Sequence, residues 1–417
     1  MNILYATPEF VTESEAGGLA TYIYNISRIL SQKGHRIYVI VVTDRDDYFE
    51  FLDNVYVYRI FVDISSLDLK IPGIIYREWS KRVNSKINEL MISGIKIDIV
   101  QYANWRAFAL YRTSIPSVVR ISSDLPLWRA AEKLNFDIKK EYVCTTATDY
   151  LEDIALMNAD AVYGPSIVIS EIIGKRVGSN IDVIESPFYP VDDRQYKNVI
   201  EGKYIFTFGT LKLMKGIKVI GDSINELLSR YTSIKYVFAG INGKWINENG
   251  ESENALDYLK RSAGKNADRV IYLGKLKRNE VCDLAEKSEA CVLPSLIDNL
   301  PNACIEAMAS GAIVIGTRGA SFEQLIDNEK NGFLVKRDNA NELIRTINKV
   351  LNLSIEERYE IKCNARLRID NMDPDKIANE TINFYEKVLK GYRISVNRNY
   401  YKLLIEKYNR EISGRTV

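Results

Sequence analysis

Two carboxylates, Asp298 and Glu306, lie in the run Pro294-Ser295-Leu296-Ile297-Asp298-Asn299-Leu300-Pro301-Asn302-Ala303-Cys304-Ile305-Glu306-Ala307-Met308-Ala309-Ser310-Gly311. The run follows the apolar stretch Ala290 to Leu293, which reads as a buried strand. Pro301 near a helix start and Gly311 just past its end bracket a short helix. Asp298 then stands in the loop at the helix mouth, and Glu306 in the second turn. Backbone N–H groups around Leu300 to Ala303, with the helix dipole behind them, form an anion site at the C-terminal edge of a parallel sheet. A carboxylate beside a phosphate site makes sense if it binds hydroxyl groups. A sugar nucleotide presents that combination, a diphosphate flanked by two polyhydroxylated rings.

Other segments have weaker chemical signals. Phe208-Gly209-Thr210-Leu211-Lys212-Leu213-Met214-Lys215-Gly216 has the order strand, loop, helix start. Taken alone, it leaves Lys215 equally readable as an anion ligand or as a solvated helix-end lysine. Gly17 and Gly18, between a first strand and a first helix, let backbone come close to a ligand and leave N–H groups facing it; a bland turn with an N-cap is the alternative. Asp44-Arg45-Asp46 has the form of a metal-binding Asp-x-Asp, but with Asp47 adjoining it reads as a charged, solvated turn. The single histidine, His35, falls in a turn signal and removes most histidine chemistry.

The elements that position these residues alternate along the whole chain. Strands are predicted at Asn2 to Ala6, Ile37 to Val42, Val55 to Phe61, Ile97 to Tyr102, Ser117 to Ile121, Ala161 to Tyr163 and Ile181 to Glu185. Pro187, Pro190 and the polar Asp192 to Lys203 break the pattern. A second series follows at Tyr204 to Phe208, Tyr236 to Ala239, Val270 to Leu273, Ala290 to Leu293, Ala312 to Ile315 and Phe333 to Val335. Helical spacing between them, as in Leu19, Ile23, Ile26 and Leu30, gives βα units and parallel sheets. The reading is an α/β chain with two Rossmann-like domains, 1–190 and 200–375, and C-terminal helices over 376–417.

Composition narrows the function. The 417 residues exceed one small domain, and 46% hydrophobic with 27% charged residues is ordinary for a folded globular chain. The 56 basic residues nearly cancel 55 acidic ones, so no global basic field invites nucleic acid. Up to residue 200 we count 22 basic against 26 acidic residues, and 34 against 29 beyond it, which makes the second half the seat of an anionic ligand. Cys144, Cys282, Cys291, Cys304 and Cys363 are scattered without metal or disulfide spacing. With no signal peptide or apolar run of membrane-spanning length, a cytoplasmic protein is expected. Neither GxGxxG nor GxxxxGK[ST] follows the strands that should carry it.

The acidic pair, separated by seven residues and followed by Ala-Met and Gly, resembles glycosyltransferase family 4, the retaining sugar-nucleotide transferases of GT-B fold. Asp298 stands for the commoner first Glu. The resemblance implies that Asp298 contacts donor-sugar hydroxyls and Glu306 the nucleotide ribose, within a donor set of Asn299, Leu300, Pro301 and Asn302. The loop Gly319-Ala320-Ser321-Phe322-Glu323 resembles the family's next loop. Phe208 to Gly216 resembles its phosphate loop, with Lys215 matching, Thr210 where an Arg is expected, and Lys212 as a substitute. By the same resemblance Gly17 and Gly18 close on the donor diphosphate. Val118 to Asp124 occupies the place of a strand ending in His-Asp; Asp124 matches and Ser123 replaces the His, with Arg120, Asn104 and Trp105 as further acceptor-side candidates.

The family implies two tandem Rossmann-like domains with an interdomain cleft and a UDP-, GDP- or ADP-sugar donor. It further implies a glycan or lipid-linked acceptor and hexosyl transfer without a metal or other cofactor, with Lys215, Asp298 and Asp124 in catalysis. A catalytically silent GT-B subunit is the alternative. Tyr400, Leu404, Tyr408 and Ile412 form an apolar stripe in a basic C-terminal segment, read as packing on the first domain or as a peripheral contact with the inner face of a membrane.

Overall fold

The computed structural model describes residues 1–11, 17–43, 46–133, 136–140, 144–191, 200–247 and 249–392. Asp44, Arg45 and the stripe from Tyr400 to Ile412 lie outside them. The chain divides into two units. The first comprises Met1–Pro126, Tyr142–Pro187 and Pro374–Val417, the second Leu127–Glu141 and Phe188–Asp373.

In chain order the elements up to the first proline break are β1 (Asn2–Thr7), α1 (Gly18–Gln32), β2 (Arg36–Thr43), β3 (Tyr48–Leu52), β4 (Val55–Phe61), α2 (Ile74–Ile92), β5 (Ile99–Ala103), β6 (Ser117–Arg120), α3 (Leu125–Ala131), α4 (Ala147–Asn158), β7 (Ala161–Gly164), α5 (Ile167–Val177) and β8 (Asp182–Val183). Then follow β9 (Tyr204–Phe208), α6 (Ile217–Arg230), β10 (Lys235–Ala239), β11 (Lys244–Ile246), β12 (Ser252–Asn254), α7 (Ala255–Ala263), β13 (Val270–Tyr272), α8 (Arg278–Lys287), β14 (Ala290–Leu293), α9 (Asn302–Ser310), β15 (Val314–Thr317), β16 (Phe333–Val335), α10 (Ala340–Leu351), α11 (Ile355–Asp370) and α12 (Pro374–Gly391).

The first unit holds an eight-stranded sheet in the order β3-β4-β2-β1-β5-β6-β7-β8, and the second a six-stranded sheet in the order β13-β10-β9-β14-β15-β16. Within these two sheets every pairing among the described residues is parallel except β3 with β4. Central strands are buried on both faces, which is why β1 and β9 read as nearly unbroken apolar runs. Tyr204, Phe206 and Phe208 pack on one side of the second sheet, while Ile205 joins the core on the other. In each sheet the strand order reverses beside the first strand of the unit, between β1 and β5 and between β9 and β14. Loops leave such a switch point in opposite directions and open a crevice at the strands' carboxyl ends.

Two elements depart from the sequence reading. β3 arises where only a charged turn was expected, as an antiparallel edge strand supported by aromatic pairs across the sheet. Phe49 packs on Tyr58 and Phe51 on Tyr56, with centroids 5.1 and 5.0 Å apart. The β11–β12 hairpin interrupts the second βα series, its three-residue strands too short to show a period.

α12 returns the chain to the first unit, lying beside α1. Its Tyr385 enters a buried polar network, donating to Gln101 Oε1 at 2.5 Å, where Tyr163 also donates at 2.6 Å; Tyr22 reaches the Tyr163 hydroxyl at 2.7 Å. Burial pushes the Tyr163 and Tyr385 hydroxyls well above their ordinary pKa, so they remain neutral donors. Tyr385→Phe is expected to cost about 1 to 2 kcal/mol by leaving Gln101 with one donor fewer. Urea denaturation checks this, and an unchanged midpoint contradicts the structural role of the network.

Candidate functional site

The second unit's switch point is built by two loops. After β9 the chain passes Gly209 and Thr210 to a single 3-10 turn at Leu213–Lys215, then through Gly216 into α6. After β14 it runs from Pro294 to Pro301, the cap of α9. Gly216 has φ 78°, and a Cβ there would stand 2.0 Å from the Pro294 carbonyl oxygen, so only glycine permits this approach. The Leu296 N–H donates to Met214 O at 2.8 Å and ties the loops together.

This contact brings Lys215 Nζ to 2.5 Å from Asp298 Oδ2. Asp298 Oδ1 accepts the Asn299 N–H at 3.0 Å, and the Asp298 carbonyl accepts the Ser321 hydroxyl at 2.7 Å. A small cavity of about 60 Å³, room for roughly two waters, is lined by Gly209, Thr210, Lys215, Asp298, Pro301 and Ala303 among others. The amides of Asn302 and Ala303, the first two of α9, have no acceptor among the described residues. A cation, a carboxylate and a helix N-terminus thus meet at one sheet edge. Leu300 serves this place through its backbone, because its side chain belongs to the core.

Glu306 lies further along α9, half-buried. Burial pushes its carboxyl up, and Arg278 pulls it back through an Nε–Oε1 bond of 2.8 Å. A second nitrogen of Arg278 donates to the Tyr189 carbonyl at 3.0 Å, and its guanidinium lies 5.1 Å from the Phe188 ring centroid. Arg337 acts similarly on the loops, donating to Leu296 O at 2.6 Å and to Gly319 O at 2.5 Å. Neither arginine was singled out from sequence. Arg278 opens α8 within the charged run Lys277-Arg278-Asn279-Glu280, and Arg337 follows β16 at a sheet edge; only that edge position could have flagged them.

Other expected residues are placed differently. Lys212 does not join Lys215; its Nζ pairs with Glu132 at 2.9 Å, so it does not supply the charge missing at Thr210. Asn302 is exposed at the start of α9, and Asn299 is half-buried beside Asp298.

Gly17, Gly18 and Asp124 belong to the first unit. Gly17 caps α1, but a carboxylate already sits there. Glu9 Oε1 accepts the Ala20 N–H at 3.1 Å, and a Cβ on Gly17 would lie 3.3 Å from that oxygen. Asp124, read as facing the acceptor, is buried with both oxygens on Arg176, at 2.5 and 3.2 Å. Arg176 also grips Asp153, which accepts the Cys144 thiol at 3.0 Å. Two carboxylates sharing one guanidinium are a brace between α5, α4 and the end of β6. Arg120 is likewise buried, 3.5 Å from the Tyr22 ring centroid and bonded to Ser186 at 2.8 Å. Asn104 joins the ends of β5 and β6, donating to Ser123 O and accepting from Ser122 N, both at 2.7 Å.

All five cysteines carry free thiols. Among the described residues no group of three or more His, Cys, Asp or Glu is placed to hold a metal ion, and no helix is long and apolar enough to cross a membrane.

Parallel sheets carrying their ligand-type groups at the switch points define a GT-B fold, and similarity to solved structures agrees. Sucrose-phosphate synthase from Thermosynechococcus elongatus superposes with a TM-score of 0.70 at 17% identity, over 94% of this chain and 100% of that one. Residues 190–368 match the family described as glycosyl transferases group 1. An uncharacterized glycosyltransferase of Haemophilus influenzae is 21% identical over 88% of this chain and 95% of its own length. An N,N'-diacetylbacillosaminyl-diphospho-undecaprenol α-1,3-N-acetylgalactosaminyltransferase of Campylobacter jejuni is 27% identical over 42% of this chain and 43% of its own.

Glu152 yields a test of the first unit's buried carboxylates. It accepts the Arg106 N–H at 3.1 Å, and burial pushes its carboxyl up to about 8. The folded protein therefore holds a proton that the unfolded chain releases between the ordinary glutamate range and that value. Stability falls as pH rises through this window, by up to about 1.4 kcal/mol per pH unit. Glu152→Gln is expected to remove this component, so its stability relative to the parent rises from pH 5 to pH 8. Parallel pH profiles in urea denaturation contradict the assignment.

Proposed function

We propose that the protein is a retaining, metal-independent transferase that moves a hexosyl-type sugar from a UDP-, GDP- or ADP-sugar to a hydroxyl of a glycan or lipid-linked acceptor, in the synthesis of cell-surface polysaccharide or glycoconjugate. The observation that carries the reading is the Lys215–Asp298 pair beside the start of α9. With a donor bound, Lys215 exchanges the carboxylate for the diphosphate, and the amides of Asn302 and Ala303 face the same oxygens. Asp298 is freed to accept bonds from sugar hydroxyls. Glu306, oriented by Arg278, accepts the ribose hydroxyls.

In the reaction the bond between the anomeric carbon and the phosphate oxygen breaks, and the acceptor oxygen bonds to that carbon on the same face. The acceptor proton passes to the departing phosphate oxygen. Negative charge grows on the diphosphate as it leaves, where a preorganised cation and oriented amides stabilise it most. No protein nucleophile is required. Asp124 contributes by fixing Arg176 and the end of β6. The lipid-linked acceptor is supported by the acceptor named for the Campylobacter relative. A silent, ligand-binding subunit is the second reading, favoured by Thr210 and by Lys212 being occupied with Glu132.

Glu306→Ala and Lys215→Met are each expected to weaken nucleoside diphosphate binding by about one to two decades, the loss of a charged hydrogen-bond partner. Calorimetry with UDP, GDP and ADP reads this, and unchanged affinity in both variants defeats the assignment. Transfer or donor hydrolysis should survive EDTA and give a product of retained anomeric configuration by NMR. Strict dependence on a divalent cation, or inversion, contradicts the mechanism. Nucleotide binding without any hydrolysis or transfer establishes the silent subunit instead.

A further inference from the structure

The first unit has its own switch point, between β1 and β5, and an arginine in the loop after β5 is unspent. β5 ends at Ala103, and Asn104 locks the chain to the end of β6. Trp105 follows, and then two successive non-glycine residues take left-handed backbone, Arg106 at φ 70° and Ala107 at φ 53°. Such conformations persist only where surrounding contacts impose them. Here the Arg106 N–H is held by Glu152, and the Ala107 N–H by the Asn104 carbonyl at 3.1 Å.

The result is a specific placement of one guanidinium. Arg106 Cζ lies 4.3 Å from the Trp79 ring centroid and 4.7 Å from that of Trp105, while Tyr76 stacks on Trp79 at 5.5 Å. The side chain is half-buried, yet among the described residues its guanidinium has no hydrogen-bond or ion-pair partner. Arg176, Arg278 and Arg337 in contrast spend their nitrogens on carboxylates or carbonyls. Stacking on aromatic rings satisfies the faces of a guanidinium and leaves its edge, where the N–H groups point, unmet. That edge matches two oxygens of a phosphate.

We propose that Arg106, walled by Trp79 and Trp105, binds a phosphate group of the acceptor in the first unit's crevice. As an acceptor site this rests on the transferase reading above; as an anion site it stands on the geometry alone. Phosphate is chosen over carboxylate because the lipid-linked acceptor named for the Campylobacter relative carries a diphosphate. Of the other titratable groups facing this place, Glu152 retains its proton toward pH 8, and Tyr76 and Glu9 act on the guanidinium through space without a hydrogen bond to it, Glu9 accepting the Ala20 N–H instead.

Tryptophan fluorescence follows the site, since two of the four tryptophans flank Arg106. Inorganic pyrophosphate is titrated into the full-length protein carrying Lys215→Met, which silences the proposed donor site, with acetate at matched ionic strength as the carboxylate arm. A saturable pyrophosphate response is expected, with affinity lowered at least about tenfold by Arg106→Met and partly restored by Arg106→Lys. Acetate should give no saturable response, and one equal to that of pyrophosphate overturns the choice of phosphate. No response to pyrophosphate at low-millimolar concentration, or equal affinity in Arg106→Met, overturns the site. If Arg106→Met does not fold, Arg106→Lys decides: undiminished affinity counts against the bidentate contact. Nucleoside diphosphate binding in a Lys215 parent carrying Arg106→Met should be unchanged, which separates failure of this site from failure of the donor reading.

Discussion

The approach of the Gly216 backbone to Pro294 sets the geometry of the second unit's site. Side-chain atoms at position 216 would collide with the Pro294 carbonyl, and the loops after β9 and β14 would part. Lys215 is the residue immediately before that contact, and Asp298 the fourth residue after Pro294. Their ion pair follows from the backbone packing. The same demand recurs at Gly240, where a Cβ would lie 1.8 Å from the Gly209 carbonyl oxygen, so the loop is confined on two sides. Glycine here buys close approach at the cost of chain entropy, a cost that packing against rigid strands must offset.

Arginines fix what the glycines bring together. Arg337 bonds the loops after β14 and β15, Arg278 orients Glu306, and Arg176 braces α4 and α5 against the end of β6. A planar fork with several donors can span two loops in a way that a lysine cannot. The lysine of the site has the opposite character. Lys215 holds a single carboxylate through one flexible amine, a contact that an incoming anion can exchange. The division fits a site whose frame is held rigidly and whose ligand-facing charge is mobile.

Much of this was legible in the sequence. Central strands are buried on both faces and therefore appear as apolar runs, and the helix from Asn302 to Ser310 was bracketed by Pro301 and Gly311. The acidic pair at Asp298 and Glu306 stood out because its spacing reflects one loop and one helix, both local. What was not legible depends on contacts distant in sequence. Nothing near Lys212 announces Glu132, and nothing near Asp124 announces Arg176, 52 residues on. β3 was missed because it is held by exposed aromatic pairs at an edge, where burial periodicity is absent. Arg106 was passed over for Trp105, since its contact with Trp79 joins residues distant in sequence.

In the transferase proposed, a nucleotide-sugar's diphosphate replaces the Asp298 carboxylate at Lys215 and α9. A crystal structure of the protein with the nucleoside diphosphate that binds it tests this exchange. Phosphate oxygens are expected within hydrogen-bond distance of Lys215 Nζ and the Asn302 and Ala303 amides, with the ribose hydroxyls on Glu306. A nucleotide bound elsewhere, with the Lys215–Asp298 pair intact, would contradict it.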